Sequence, residues 1–211
     1  SEIKREEALE KEPSLSGDIT RIFEVPDATI DPFRLSLDNI SDACRNGGTL
    51  LRFTTLIGFE KDKGKVRAAL VKDQVTGKEF EIEAKIFVNA AGAWAGEVAA
   101  MAGAEIPMIY SKGTLLVTSS RISQRVINRL RPPGDSDIVV PGGTVSILGT
   151  TSVKADDLSD ISPGVDEADI IINESMKMVP EIKAARMIRA YSGVRPLVYS
   201  GTAEERSISR N

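Results

Sequence analysis

The 211-residue chain, 41% hydrophobic and 27% charged, has the make-up of a water-soluble globular protein, with core enough for one large domain or two small ones. Its net charge of −4 argues against general nucleic-acid binding, and its single cysteine, Cys44, excludes an intramolecular disulfide and any Cys-x-x-Cys metal or redox motif. The absence of histidine excludes a Ser-His-Asp triad, a His-Glu-x-x-His zinc site and an imidazole base from these residues, and no metal site is expected.

Residues from Ser1 to about Gly17 read as a polar lead-in, with Glu12 held extended by Pro13. The mixed-charge start Ser1-Glu2-Ile3-Lys4-Arg5-Glu6-Glu7 is unlike a signal peptide. No apolar run approaches the roughly 18 residues of a membrane span. A reducing, cytoplasmic setting is therefore expected, with any membrane met peripherally or through a partner. The first clear element is a helix: Asp31 is a good N-cap, Pro32 suits the first helical position, and Gly47-Gly48 is a stop. Phe33, Leu37, Ile40 and Cys44 fall near one face, which predicts core packing for all four.

A β-rich run follows. Leu50 to Phe59 reads as a strand or strand pair, Lys63-Gly64 as a turn, Val66 to Val71 as a strand and Thr76-Gly77 as a second turn. Phe80, Ile82 and Ala84 alternate with Glu79, Glu81, Glu83 and Lys85, as in a half-buried strand. Ile86-Phe87-Val88 reads as a short buried strand running into a helix that ends near Ala102. Beyond Gly103, strands are expected at Met108 to Thr118, Asp137 to Val140 and Val145 to Leu148, with Gly142-Gly143 turning between the last two. A helix capped by Asp166 should run to about Met178, and a last strand from Met187 to Ser192. The pattern predicts an α+β fold built on an antiparallel sheet.

Four segments could carry chemistry. Val88-Asn89-Ala90-Ala91-Gly92-Ala93-Trp94 places small residues between a strand and a helix, where backbone approaches a ligand closely, or where a turn simply packs tightly. Arg195, in Tyr191-Ser192-Gly193-Val194-Arg195-Pro196-Leu197, is held stiffly at a strand end; its fork suits a carboxylate or phosphate, or an ordinary salt bridge. Lys112-Gly113-Thr114 lacks the preceding glycine of a P-loop and sits in a strand pattern. Gly149-Thr150-Thr151 offers hydroxyl donors and is equally a strand end.

Taken in order, several segments resemble one family, the FAD-dependent glycerol-3-phosphate dehydrogenases, and within it the catalytic A subunit of the anaerobic type. They are Val25-Pro26-Asp27-Ala28-Thr29-Ile30-Asp31-Pro32-Phe33-Arg34-Leu35, Val88 to Trp94, Lys112-Gly113-Thr114-Leu115-Leu116, Asp137-Ile138-Val139-Val140-Pro141-Gly142, Leu148-Gly149-Thr150-Thr151-Ser152, and Arg189 to Leu197. The resemblance implies a two-dinucleotide-binding-domain flavoprotein fold. Residues 18–104 would be a partial FAD-binding domain with a β-meander, and residues 1–17 and 105–211 an antiparallel-sheet substrate region. It implies oxidation of sn-glycerol 3-phosphate to dihydroxyacetone phosphate by hydride transfer to FAD, with electrons passing to partner subunits and membrane quinone. Arg195 and Arg210 become the catalytic and substrate-binding cations, with Lys112 a further substrate contact. Thr55, Leu56, Ala90, Ala91, Gly92, Trp94 and Gly193 become cofactor contacts.

The chain departs from the family pattern where neither a Gly-x-Gly-x-x-Gly loop nor a Gly-Gly-Lys segment is present. Leu115 follows Thr114 where the aerobic branch often has histidine, which favours the anaerobic branch and leaves the base unassigned. An interior piece of a longer flavoenzyme is therefore expected, inactive by itself and without FAD when isolated. The alternatives are a stand-alone domain that binds an anion or partner, and a related flavin oxidase of the same substrate.

Overall fold

The computed structural model describes residues 1–156, 158–159 and 161–198. The chain separates into two units: Ser1–Thr29 joined to the described residues from Ile109 onward, and Ile30–Met108. The lead-in expected to be merely polar has structure. Strand β1 (Glu2–Ile3) pairs antiparallel with β2 (Ile22–Phe23), and helix α1 (Arg5–Lys11) lies between them in sequence. Residues 18–29 therefore run with the first unit rather than with the meander. Lys11 Nζ donates to Glu24 Oε2 at 3.0 Å, and Arg125 reaches Glu24 at 3.2 Å.

In the second unit, α2 (Pro32–Arg45) begins as its sequence dictates. Asp31 Oδ1 accepts from the N–H groups of Phe33 and Arg34, both at 3.0 Å, which satisfies two of the donors left open at a helix start. Its apolar residues are not buried: Phe33 is 80% exposed and Leu37 64%, and Ile40 and Cys44 are exposed too. The expectation of core packing fails because nothing in this unit covers that face.

Strand β3 (Thr54–Asp62), β4 (Lys65–Asp73) and β5 (Glu79–Glu83) form a three-stranded antiparallel meander. The β3–β4 loop is Lys63-Gly64, with both residues at positive φ, the two-residue geometry that matches strand twist. The next turn is tied by Asp73 Oδ1, which accepts from the N–H groups of Val75 and Thr76. Leu50 to Phe53 precede the strand instead of opening it. Ile86 to Val88 form no strand, and Ile86 and Val88 are 79% and 84% exposed. A buried strand needs neighbours for its ladder, and among the described residues none pairs with this segment. After it come a 3-10 turn at Gly92–Trp94 and α3 (Ala95–Met101).

The first unit is organised by β6 (Met108–Thr118), whose bounds match the expectation. Strand β7 (Ile127–Asn128), β8 (Ile138–Gly142), β9 (Val145–Gly149) and β10 (Val153–Ala155) complete the antiparallel order β10-β6-β9-β8-β7. Helix α4 (Val165–Ser175) and a 3-10 segment (Pro180–Ala184) lead to β11 (Met187–Val198), which also pairs with β6. The core is Leu116, Val139, Leu148, Ile171, Met178, Val179 and Ile182. Each large side chain so buried contributes about 1.5–3 kcal/mol. Buried Glu12 ties the N-terminal segment down, accepting from the N–H groups of Gln124 at 2.6 Å and Arg125 at 2.8 Å and from Ser14 Oγ at 2.7 Å.

Candidate functional site

Strand β11 runs six residues beyond its expected end at Ser192, so Arg195 lies inside a strand rather than at its end. Alternation along β6 separates two sets of side chains, because neighbouring residues point to opposite faces. Ser111 and Gly113 form one set with Arg195; Lys112 and Thr114 form the other with Glu167.

On the first face the Arg195 guanidinium lies over Gly113. A Cβ added to Gly113 would stand 2.6 Å from Arg195 Nη2 and 2.7 Å from Thr150 Oγ1, so only glycine leaves room. Arg195 Nη2 donates to Thr150 Oγ1 at 3.1 Å and to the Thr151 carbonyl at 3.3 Å, and Nη1 donates to that carbonyl at 3.3 Å and to Ser111 Oγ at 3.4 Å. These bonds are longer than tight charge-assisted ones, which run about 2.7–2.9 Å. Ser111 Oγ is also 2.8 Å from Ser152 Oγ, and the Ser152 N–H donates to Asp135 at 3.0 Å.

On the second face Glu167 is buried at the start of α4 and gathers donors on both carboxylate oxygens. Oε1 accepts from Thr114 Oγ1 at 2.9 Å and Thr151 Oγ1 at 2.7 Å; Oε2 accepts from Gly164 N–H at 2.9 Å and pairs with Lys112 Nζ at 2.8 Å. Thr151 Oγ1 in turn accepts from the Thr114 N–H at 3.0 Å. Burial pushes the Glu167 carboxyl up, but Lys112, Thr151, the Gly164 N–H and Thr114 together outweigh it and hold the group at about 2. The α4 cap is therefore Gly164, with Glu167 reaching back three residues, and not Asp166. Lys112 also donates to the Ser162 carbonyl at 2.9 Å. Lys112, expected as a substrate contact, is paired with Glu167 on the opposite side of β6 from Arg195.

Of the other expected residues, Gly193 is exposed with open space around its missing Cβ. Arg210 lies outside the described residues. In the second unit, Thr55 and Leu56 fall early in β3, Thr55 exposed and Leu56 half-buried. Ala91 leads into the 3-10 turn; its N–H donates to Asn89 Oδ1 at 3.2 Å, and Asn89 Nδ2 holds the Ala95 carbonyl at 2.9 Å. Gly92 takes φ +57 with nothing within 4 Å of a Cβ, and Ala90, Gly92 and Trp94 are exposed. Sequence patterning does not single out Glu167. Its available signal is the spacing Gly164-Val165-Asp166-Glu167, a cap followed by glutamate at the third helical position.

The model of the FAD dependent oxidoreductase family matches residues 1–210. The chain belongs to that family. It is 40% identical over 191 residues to the A subunit of the anaerobic glycerol-3-phosphate dehydrogenase of Escherichia coli K12, a match covering 90% of this chain and 35% of that protein. It is 36% identical over 220 residues to the A1 subunit of the anaerobic glycerol-3-phosphate dehydrogenase of Haloferax volcanii, covering 99% of this chain and 38% of that one. The chain thus spans little more than a third of the length of these curated relatives. Among solved structures it superposes on a glycerol-3-phosphate dehydrogenase from Bacillus halodurans complexed with FAD. The TM-score is 0.80 at 26% identity, over 95% of this chain and 42% of that one.

As an FAD dependent oxidoreductase the chain should offer surface that a flavin nucleotide fits. The exposed residues Val88, Ala90 and Gly92 are apolar and short in side chain, and Trp94 adds one planar ring, features compatible with a flavin nucleotide. Among the described residues no helix is long and apolar enough to cross a membrane, and no cluster of metal ligands is present.

Proposed function

We propose that this chain forms part of an FAD-dependent enzyme that oxidises sn-glycerol 3-phosphate to dihydroxyacetone phosphate. The observation that carries the proposal is the seat of Arg195, whose guanidinium is set over Gly113 by Thr150, Thr151 and Ser111. Its planar fork suits the paired oxygens of a phosphate, which supports an anionic substrate at this seat. Both named relatives and the solved structure carry glycerol-3-phosphate dehydrogenase in their names, which supports the choice of anion.

Arg195 binds the substrate anion, with Arg210 as the second cation. Neither acts as a base, because arginine stays protonated at any working pH. Ala90, Ala91, Gly92 and Trp94 hold the cofactor, with Thr55 and Leu56 against its adenine and Gly193 as a further contact. FAD, when bound, accepts the hydride that leaves substrate C2, while the C2 hydroxyl proton passes to a base outside the residues assigned here. The electrons then go to partner subunits and membrane quinone, which places the enzyme in the cytoplasm and at the membrane through those partners. The exposed face of α2 is covered by segments of the longer protein.

The test is anaerobic flavin bleaching in the full-length enzyme. sn-Glycerol 3-phosphate should reduce the flavin and glycerol should not. Equal reduction by both, or by neither, contradicts the proposal.

A further inference from the structure

Thr151 is held from both sides of the sheet. Its hydroxyl donates to Glu167 at 2.7 Å on the buried face, and its carbonyl accepts both terminal nitrogens of Arg195, each at 3.3 Å, on the other. The same hydroxyl accepts the Thr114 N–H at 3.0 Å, which pins residue 151 beside β6 at the level of Gly113. Nothing in strand geometry requires this. Residues 150–152 lie between β9 and β10, outside the ladder, so their place is set by side-chain bonds and by one backbone bond, from the Ser136 N–H to the Thr150 carbonyl at 3.1 Å, rather than by sheet pairing.

We infer that Glu167 is a positioning residue for Arg195, acting through Thr151; the inference rests on Arg195 as the substrate-anion cation. Glu167 touches neither Arg195 nor the space above Gly113. It fixes the Thr150–Thr151 shelf on which the guanidinium rests. A carboxylate suits the task because it accepts several bonds at once without supplying a competing donor. Lys112 completes the arrangement, since a buried carboxylate without a cation would be costly. Sequence separates these residues widely: Lys112 and Thr114 come from β6, Thr151 from the connection and Glu167 from α4.

A merely structural Glu167 would also be expected to stabilise the fold, so the test must read through Arg195. In the full-length flavoenzyme, Glu167→Gln should raise the KM for glycerol 3-phosphate about tenfold while changing kcat by less than about threefold. In an Arg195→Ala background the same change should leave KM within about twofold, because the route to substrate is already lost. Thr151→Val should behave as Glu167→Gln does, and Thr151→Ser, which keeps the hydroxyl, should restore KM to within about twofold of the parent. The inference is overturned by an unchanged KM in Glu167→Gln. It is equally overturned by a full tenfold effect persisting without Arg195, or by Thr151→Val matching Thr151→Ser. An unchanged KM in Arg195→Ala alone overturns the reading of Arg195 itself, and is read separately. If Glu167→Gln does not fold, the Thr151 pair decides.

Discussion

Arg195 and Gly113 share one position in space: the guanidinium fills the volume that any Cβ on residue 113 would need, 2.6 Å from Nη2. Contact that close is not tolerated by backbone-anchored atoms, so the arginine must move. Gly113→Ala should therefore weaken substrate binding with little loss of fold. In the full-length enzyme the KM for glycerol 3-phosphate should rise by about tenfold or more, equivalent to roughly 1.4 kcal/mol. Steady-state kinetics beside a thermal unfolding curve checks both halves.

Glu167 gives the fold an acid-sensitive joint. Its carboxyl sits at about 2 against the usual 4.5, so the folded state favours the ionised form. That stability is fully present above about pH 4.5 and is lost as pH falls through about 2, below which both states are protonated. The advantage of the parent over Glu167→Gln should shrink by on the order of 3 kcal/mol across that window. Denaturant midpoints of the two proteins at pH 6 and pH 3 should capture about 2 kcal/mol of this, since the folded carboxyl is still largely ionised at pH 3; parallel shifts in both would contradict the assignment.

Glu12 offers a second buried carboxylate with a different task. It joins the N-terminal segment to the β6–β7 connection through two backbone N–H groups. Glu12→Ala leaves both donors without their acceptor and should cost about 2–6 kcal/mol in urea unfolding, at roughly 1–3 kcal/mol for each donor left unsatisfied. Glu12→Gln, which keeps an acceptor oxygen, should cost less than half as much.

Helix α2 shows how far local rules reach. Its start is written in Asp31-Pro32 and its stop in Gly47-Gly48, and both ends fall where those residues place them. The bounds of β6 and the β8–β9 hairpin are legible for the same reason: alternation and turn glycines act within a few residues. What covers a face is not local. Phe33, Leu37 and Ile40 follow helical spacing faithfully yet stand exposed, and Ile86-Phe87-Val88 has strand composition without a neighbouring strand. The Glu167 cluster escapes sequence reading because its members lie 16 and 53 residues apart along the chain. Only Arg195, stiffened between glycine and proline, announces itself.

The same exposed face makes a physical prediction for the 211-residue chain studied alone. Phe33→Ser with Leu37→Ser should lower binding of an apolar dye and reduce self-association, with a small change in unfolding midpoint, because neither side chain is buried. A large loss of stability would mean that the face is covered after all.

The most direct measurement is glycerol-3-phosphate-dependent dye reduction by the full-length enzyme and its Arg195→Ala and Arg195→Lys variants. Loss of the planar fork should lower kcat/KM by about a hundredfold or more in Arg195→Ala, with Arg195→Lys between that and the parent. Near-normal kcat/KM in Arg195→Ala would remove Arg195 from the site and contradict its role as the substrate-anion cation.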